Sequence, residues 1–213
     1  MLDLFAEDDP WQEPLAAGAL ILRRRARDIT GQLMQQIERI AARNPFHHRI
    51  TPGGHRMSVA MTNCGALGWS ADSRGYQYSA QDEFSGQGWP AMPQTFHRLA
   101  EECAREAGFA GFNPDACLIN RYEPGAKLTL HQDKDERDLR QPIVSVSLGL
   151  PAVFLFGGFE RGDATQRVLL EHGDVVVWGG PSRLRYHGIL PLKAGIHPLT
   201  GAFRFNLTFR RAR

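Results

Sequence analysis

The stretch Phe203-Arg-Phe-Asn-Leu-Thr-Phe-Arg210, close to the carboxyl end of the chain, alternates between two kinds of side chain. Its odd-numbered positions are apolar, and its even-numbered positions carry arginine, an amide or a hydroxyl. Because successive side chains of a strand point to opposite faces, the alternation predicts a β-strand with one apolar and one polar face. The polar face either lies in solvent at a sheet edge or lines a polar cavity inside a barrel. In the cavity, Arg204 and Arg210 would bind anionic groups through charge-assisted hydrogen bonds.

Upstream of this strand, the chain after Pro114 consists of short β-segments separated by Gly, Pro and Asp turns. The predicted strands are Cys117–Tyr122, Leu128–His131, Ile143–Leu150, Val153–Phe156, Val168–Leu170, Val175–Trp178, Leu184–Ile189 and Phe203–Phe209. Short strands at such close spacing are typical of a barrel or jelly roll. Helical patterns come earlier in the chain, including one that starts at Pro93, so the predicted fold class is α+β rather than alternating βαβ.

The first part of the chain combines a helix with a long polar segment. We expect residues 1–18 to be irregular and to be followed by a strand at Ala19–Arg23 and a helix that begins near Ile29. After a short strand at Met57–Met61, residues 62–92 are rich in Gly, Ser, Tyr and Trp. A loop of this length in a compact domain is usually functional.

Composition narrows the class of protein. The chain has 213 residues, of which 42% are hydrophobic, and a net charge of +2, which fits one folded domain spanning residues 1–213. No apolar run reaches about 18 residues, so we expect no membrane association. The acidic amino terminus lacks the features of a secretory signal, and the three cysteines show no C-x-x-C pairing. A monomeric protein of the reducing cytoplasm is therefore expected.

The segment His131-Gln132-Asp133 offers two candidate metal ligands. In a strand, His131 and Asp133 would point to the same face. His187 lies at the end of another predicted strand and is the candidate third ligand, for which His172 and His197 compete. Two histidines and one carboxylate are the ligand set of a non-haem Fe(II) site with open coordination positions. The H-x-D pattern is also common by chance, and the alternative is a solvated surface pair.

These residues together resemble the signature of the AlkB family of Fe(II)/2-oxoglutarate dioxygenases. The positions that carry the resemblance are Asn120-x-Tyr122, Leu128, His131-x-Asp133, His187 and Arg204-x-Asn206-x-Thr208-x-Arg210. The likeness covers nearly the whole chain and is weakest in the first helix and in residues 81–88 and 98–113. The resemblance implies a double-stranded β-helix (jelly roll) with N-terminal helices. Residues 1–92 would form an N-terminal extension and a nucleotide-recognition lid, and residues 93–213 a helix and the catalytic core.

The resemblance also implies the cofactors and the reaction. Fe(II) would be held by His131, Asp133 and His187, and the distal carboxylate of 2-oxoglutarate would pair with Arg204. The remainder of the 2-oxoglutarate pocket would be formed by Asn120, Tyr122, Asn206, Thr208 and Arg210. With O2 as oxidant, the implied reaction is the demethylation of N-alkylated bases, such as 1-methyladenine and 3-methylcytosine, in single-stranded and double-stranded DNA and in RNA. The products are the unmodified base, formaldehyde, succinate and CO2.

The substrate contacts that the resemblance implies are Trp69, Tyr76, Gln77, Tyr78, Asp135 and Arg161. A base that reacts inside a pocket must leave its stack, so Trp69 is predicted to be a stacking platform opposite the His131 ring. Since 1-methyladenine and 3-methylcytosine are cations, Asp135 is predicted to select for that charge. The ordinary interpretation makes the aromatic residues a small core under a long loop. It makes Asp135, like Glu136, one more charge in the solvated run Lys134–Arg140.

Two other functions fit part of the pattern. A 2-oxoglutarate oxygenase that acts on protein or on a small molecule needs the iron and cofactor residues, but it does not need the aromatic loop or Asp135. A metal-binding jelly-roll module without catalysis leaves the strand with Arg204 and Arg210 unexplained.

Overall fold

The computed structural model describes residues 10–72 and 75–213, which contain two large β-sheets, a hairpin and two helices. The strands are β1 (Trp11–Ala16), β2 (Ala19–Arg23), β3 (His47–Ile50), β4 (Arg56–Gly65), β5 (Gly68–Asp72), β6 (Gly75–Ser79), β7 (Ala116–Tyr122), β8 (Leu128–His131), β9 (Ile143–Gly149), β10 (Ala152–Phe156), β11 (Gln166–Leu170), β12 (Val175–Trp178), β13 (His187–Ile189) and β14 (Arg204–Arg210). The helices are α1 (Thr30–Arg43) and α2 (Gln94–Glu106), and short 3-10 turns cover Arg27–Ile29 and Gly180–Ser182.

The order of the strands identifies the fold. The larger sheet has eight strands in the order β1-β2-β12-β9-β14-β7-β4-β3, and the smaller has four in the order β11-β10-β13-β8. The chain crosses repeatedly between these sheets, and the pairing within both is antiparallel. Two antiparallel sheets that exchange strands in this way form a jelly roll, so the predicted fold class is confirmed. The hairpin β5–β6 forms a separate sheet of two strands.

Strand β14 lies in the middle of the larger sheet rather than at its edge. It pairs with β7 on one side and with β9 on the other, and all seven of its residues are buried. The interpretation of its polar face as the wet face of an edge strand is therefore wrong. Buried polar side chains need partners, so this face must line a polar interior.

Two hydrophobic clusters lie on opposite faces of the larger sheet. The first joins the apolar face of β14 to both helices, because α1 and α2 each bury a stripe of side chains spaced three or four residues apart. In it, Phe209 packs edge-on against Phe96 of α2, with ring centroids 6.0 Å apart. The second cluster joins the two sheets and includes Met61, Phe154 and Trp178. The polar cavity opens beside the second cluster.

Two edge strands of the larger sheet were missed in the sequence because their pattern does not reveal them. Residues 1–18 were expected to be irregular, yet Trp11–Ala16 forms β1 and pairs with β2. Strand β3 (His47–Ile50) pairs with β4 and was not predicted. Both lie at the two edges of the larger sheet, where a neighbouring strand supplies the hydrogen bonds and little apolar alternation is needed.

The segment 62–92 is not the long loop that was expected. Strand β4 continues to Gly65 because its residues pair with β7, and the hairpin β5–β6 follows almost at once. The strand predicted at Leu184–Ile189 is shorter in the structure than expected, because only His187–Ile189 is paired. Residues just before it belong to the 3-10 turn and its exit.

No helix in the described part of the chain is both long and apolar enough to cross a membrane. Cys64, Cys103 and Cys117 are all buried and free, in keeping with the absence of a disulfide pattern in the sequence.

Replacement of Phe209 by Ala should destabilise the fold strongly, because the ring is fully buried between the sheet and α2. The expected loss in the free energy of unfolding is about 3–5 kcal/mol, as for other buried Phe to Ala changes. Urea unfolding of the metal-free protein measures it. Ile196→Ala is the matched control, since Ile196 is 81% exposed and its loss should change the stability by less than about 0.5 kcal/mol. Equal effects of the two variants would contradict the assigned core.

Candidate metal centre and its cavity

A cavity of about 710 Å³ opens between the two sheets. Its walls come from β7 and β14 on one side and from β8 and β13 on the other, and the hairpin β5–β6 contributes Trp69 and Tyr76. The three predicted metal ligands and all six predicted cofactor residues line it. Residues that are distant in the sequence, such as Asn120 and Arg210, thus meet because the jelly roll places four of its strands around one space.

His131, Asp133 and His187 come together at this cavity. One ligand atom from each lies within 4.8 Å of the others, a distance that one metal ion can bridge. His131 ends β8 and His187 begins β13, and the two residues are direct partners across that strand pair. His172 and His197, the competing candidates, instead lie against each other, with ring centroids 4.3 Å apart, in a separate pocket.

Hydrogen bonds to the backbone orient both imidazoles for ligation. Nδ1 of His131 donates to the carbonyl oxygen of Thr129 at 2.8 Å, and Nδ1 of His187 donates to that of Arg185 at 3.1 Å. A carbonyl can only accept, so each Nδ1 carries a proton, and in the neutral form of each ring it is Nε2 that has the lone pair for a metal. The Nε2 atoms lie 3.6 and 3.9 Å from the Asp133 carboxylate. Proteins commonly direct the Nε2 of a histidine towards a metal by bonding its Nδ1 to a backbone carbonyl in this way.

The charges around Asp133 keep this donor set in its ligating form. Burial raises the pKa of Asp133, but Arg210 and the two histidines outweigh burial and hold that pKa well below its usual range. Arg210 donates to Oδ2 of Asp133 from both Nε and Nη2, at 2.9 and 2.6 Å. Burial and the neighbouring His131 lower the pKa of His187 to about 4. At neutral pH the site therefore offers one carboxylate and a neutral His187, which suits a divalent cation.

Arg204 is a buried cation on the cavity wall that forms no ion pair with any of the described residues. Arg204 is 1% exposed, and only its Nη2 has a hydrogen-bond partner, the Ser147 hydroxyl at 3.0 Å. Among the described residues, its Nε and Nη1 have none, and neither has Oδ1 of the neighbouring Asn120. The guanidinium lies 4.9 Å from the centre of the Tyr122 ring, and burial raises the pKa of Tyr122 to about 12. A buried guanidinium with open donors fits the carboxylate of an acidic ligand.

The remaining predicted cofactor residues form a hydrogen-bonded ladder on β14. Thr208 donates from Oγ1 to Oδ1 of Asn206 at 2.8 Å, and Asn206 donates from Nδ2 to the Ser145 hydroxyl at 2.8 Å. All of these groups are buried and line the cavity. The ladder fixes the orientation of the amide and hydroxyl groups on the cavity wall.

The mouth of the cavity carries part of the predicted substrate set. Trp69 and Tyr76, on opposite strands of the hairpin, stack at 5.4 Å with an angle of 15° between their planes. Nε1 of Trp69 donates to Oδ2 of Asp135 at 3.0 Å. Arg161 also lines the mouth, where it donates to the Leu130 carbonyl oxygen at 2.8 Å. His131 lines the same cavity as Trp69.

Gln77 and Tyr78 do not line the cavity. Gln77 is exposed, and the hydroxyl of the half-buried Tyr78 donates to Oε1 of Glu136 at 2.6 Å. The expectation that Glu136 is a solvated charge is wrong, because Glu136 is 7% exposed and also pairs with Arg183 at 2.8 Å. The buried Arg183 was not predicted either. No local pattern marks these two residues, since their partners are distant in sequence.

The metal-free protein should lose stability as the pH falls from about 6.5 to 4. Because burial lowers the pKa of His187 from 6.5 to about 4 in the folded chain, the unfolded chain binds a proton that the folded chain does not in this window. Stability is therefore full above the unfolded pKa and falls until the folded pKa is reached. His187→Asn should remove a share of this loss, of the order of 2–3 kcal/mol. Urea unfolding at several pH values measures it, and identical slopes for both proteins would refute the assignment.

Comparison with known proteins agrees with this geometry. Residues 28–210 match the family model described as the 2OG-Fe(II) oxygenase superfamily. The chain is 65% identical over 212 residues to the "Alpha-ketoglutarate-dependent dioxygenase AlkB" of Escherichia coli (strain K12), covering 100% of this chain and 98% of that protein. It is 44% identical to the AlkB homolog of Caulobacter vibrioides (strain NA1000 / CB15N), covering 87% of this chain and 84% of that protein.

More distant relatives share the fold. The "Nucleic acid dioxygenase ALKBH1" of Mus musculus is 34% identical over 116 residues, which cover 54% of this chain and 30% of that protein. The solved structure of OsALKBH1 superposes with a TM-score of 0.83 at 29% identity and covers 94% of this chain and 100% of that one. On the strength of the family model and of the full-length match to AlkB, the chain belongs to the 2OG-Fe(II) oxygenase superfamily and, within it, to the AlkB family of α-ketoglutarate-dependent dioxygenases.

Proposed function

We propose that this protein demethylates N-alkylated bases, such as 1-methyladenine, 3-methylcytosine and related lesions, in DNA and RNA by oxidation. The observation that carries the proposal is the stacked Trp69–Tyr76 pair, with Asp135 beside it, at the mouth of the cavity that contains the candidate iron ligands. Flat side chains suit a base that has left its stack, and the acid suits a base with positive charge. Relatives named as nucleic acid dioxygenases and as DNA N(6)-methyladenine demethylases support a nucleic-acid substrate.

Fe(II), 2-oxoglutarate and O2 are the cofactor and co-substrates of this family, and the residues of the cavity fit them. His131, Asp133 and His187 would hold the iron, with both Nε2 lone pairs and the carboxylate facing it. Arg204 would pair with the distal carboxylate of 2-oxoglutarate, and its open donors support that role. Asn120, Tyr122, Asn206, Thr208 and Arg210 would complete the pocket. Together with O2, these groups supply the oxidising power to hydroxylate a methyl C–H bond, leaving succinate and CO2.

The side chains of this chain bring the methyl group to the iron and shield the reaction from water. Trp69 would stack on the flipped base, and Asp135 would face its positive charge from the side of the Trp69 indole. Tyr76 and Arg161 lie at the mouth, where the nucleic-acid backbone would pass. Gln77, exposed on the same hairpin, and Tyr78 are the other two predicted contacts. The hydroxylated N-methyl group loses formaldehyde without further catalysis.

The sequence also suggests the domain organisation, the number of phosphate contacts, the oligomeric state and the cellular location. We propose that residues 1–213 act as one domain, with the hairpin β5–β6 as part of the lid over the cavity. Because the net charge is only +2, we expect the protein to contact few phosphates of single-stranded or double-stranded nucleic acid. We also propose that the protein is a monomer and that it is located in the cytoplasm.

Incubation of the protein with Fe(II), 2-oxoglutarate, O2 and an oligonucleotide that contains 3-methylcytosine should yield formaldehyde and unmodified cytosine in equal amounts. Mass spectrometry of the digested oligonucleotide and a formaldehyde assay measure the two products. Succinate release without demethylation, with the metal demonstrably bound, would instead support an oxygenase that acts on protein or on a small molecule.

Replacement of Asp135 by Ala should reduce turnover of cationic substrates more than that of neutral ones. A charge contact of this kind is worth about 1.5–3 kcal/mol, so kcat/KM for 3-methylcytosine should fall at least tenfold more than that for 1-methylguanine. Asp138→Asn is the matched control, since Asp138 lies in the same connector but pairs with Arg140. An equal loss on both substrates would contradict charge selection by Asp135.

A further inference from the structure

Tyr78 connects the hairpin at the cavity mouth to the interior of the protein. It lies on β6, and its hydroxyl donates to Oε1 of Glu136 at 2.6 Å. Glu136 is 7% exposed, so this is a charge-assisted hydrogen bond shielded from water. Since the bonded oxygen faces inward, the Tyr78 hydroxyl is not placed to touch a phosphate.

Glu136 in turn contacts both of the buried arginines that hold Asp133. Its Oε2 accepts from Nη2 of Arg183 at 2.8 Å, and its Oε1 lies 3.3 Å from Nε of Arg210. Arg210 donates to the Asp133 carboxylate, and Arg183 donates to the Asp133 backbone carbonyl at 2.5 Å. An unbroken chain of polar contacts therefore runs from Tyr78 through Glu136 and Arg210 to the candidate iron ligand.

The hairpin is attached to the connector after β8 at two points of different character. Trp69 reaches Asp135 at the exposed mouth, where a substrate base would compete for the same carboxylate. Tyr78 reaches Glu136 one residue further on, on the buried side. A base that stacked on Trp69 would compete for the first contact, whereas the second contact would remain.

We propose that Tyr78 is a positioning residue, which transmits the position of the hairpin to Arg210 and Asp133 through Glu136. The proposal rests on the proposed function, because it treats the hairpin as part of the lid over the substrate base. It assigns Tyr78 a role towards the cofactor site instead of a direct contact with nucleic acid.

The physical basis is competition for one carboxylate oxygen. Oε1 of Glu136 is shared between the Tyr78 hydroxyl and Arg210, while Arg210 makes its shorter contact, 2.6 Å, with Asp133. Without the hydroxyl, Oε1 would attract Arg210 more strongly, and the guanidinium would shift away from Asp133. Arg210 lines the 2-oxoglutarate cavity, so its displacement should weaken binding of that co-substrate before any base is present.

The test is Tyr78→Phe, which keeps the ring and removes the hydroxyl. Binding of 2-oxoglutarate to the Fe(II)-loaded protein is titrated without oxygen and without nucleic acid, through the visible charge-transfer absorption of the iron–2-oxoacid complex. We expect the dissociation constant to rise about tenfold, the effect of losing about 1.4 kcal/mol. Ser79→Ala is the matched control. It removes a hydroxyl from the adjacent residue of the same strand. Among the described residues that hydroxyl accepts only from the nearby Gln81 backbone N–H, so its loss should leave the constant unchanged.

A double-mutant cycle with Glu136→Gln shows whether the effect passes through Glu136. If it does, the double variant binds 2-oxoglutarate about as weakly as the weaker single variant, whereas independent effects would multiply. If the dissociation constant of 2-oxoglutarate is unchanged in Tyr78→Phe, the proposal is wrong. This holds even if the variant has a lower melting temperature or binds oligonucleotides more weakly. Because no nucleic acid is present, the result is separate from the demethylation assay, whose failure would affect only the proposed function.

Discussion

The burial of two arginines on one face of β14 is the constraint on which the rest of the structure depends. A guanidinium taken out of water is costly unless an anion and hydrogen-bond acceptors surround it. Arg210 meets this requirement within the chain through Asp133 and Glu136, and this pairing keeps a carboxylate charged beside two histidines. Arg204 finds only the Ser147 hydroxyl and keeps two nitrogen atoms without partners among the described residues. One arginine therefore organises the candidate metal ligands, and the other keeps open donors that fit the carboxylate of a ligand.

Much of this was predictable from the sequence because it depends on local periodicity. The alternation of β14 predicted its two faces, and turn residues predicted the bounds of strands such as Leu128–His131 and Val175–Trp178, which agree with the structure. Strands β1 and β3 were not predictable in this way, because the pairing of a neighbour defines them more than their own side chains do. The sequence of β14 alone did not decide whether its polar face lies in solvent or inside the protein, since this depends on the order of the strands in the sheet.

The candidate site likewise contains residues that the sequence predicted and residues that it did not. His131 and Asp133 are two residues apart, so the sequence alone places them near each other, although β8 ends at His131 and Asp133 follows it in the connector. The sequence did not single out His187, because His172 and His197 were competing candidates for the third ligand. Glu136 appeared to be one charge among several, and its burial follows from Tyr78, Arg183 and Arg210, which come from three other parts of the chain. Charges that satisfy one another across long sequence separations leave no periodic signal, although they do much to position a catalytic centre.

The backbone contacts of the two imidazoles have a consequence for metal choice. Each ring is held by the carbonyl oxygen two residues before it, so the strands themselves preform the site. Two nitrogens and one oxygen bind several divalent ions, and Co(II), Ni(II) and Cu(II) all follow Fe(II) in the affinity order. These ions would compete with Fe(II) for the preformed site, so the supply of free metal contributes to the choice of iron alongside the geometry of the donors.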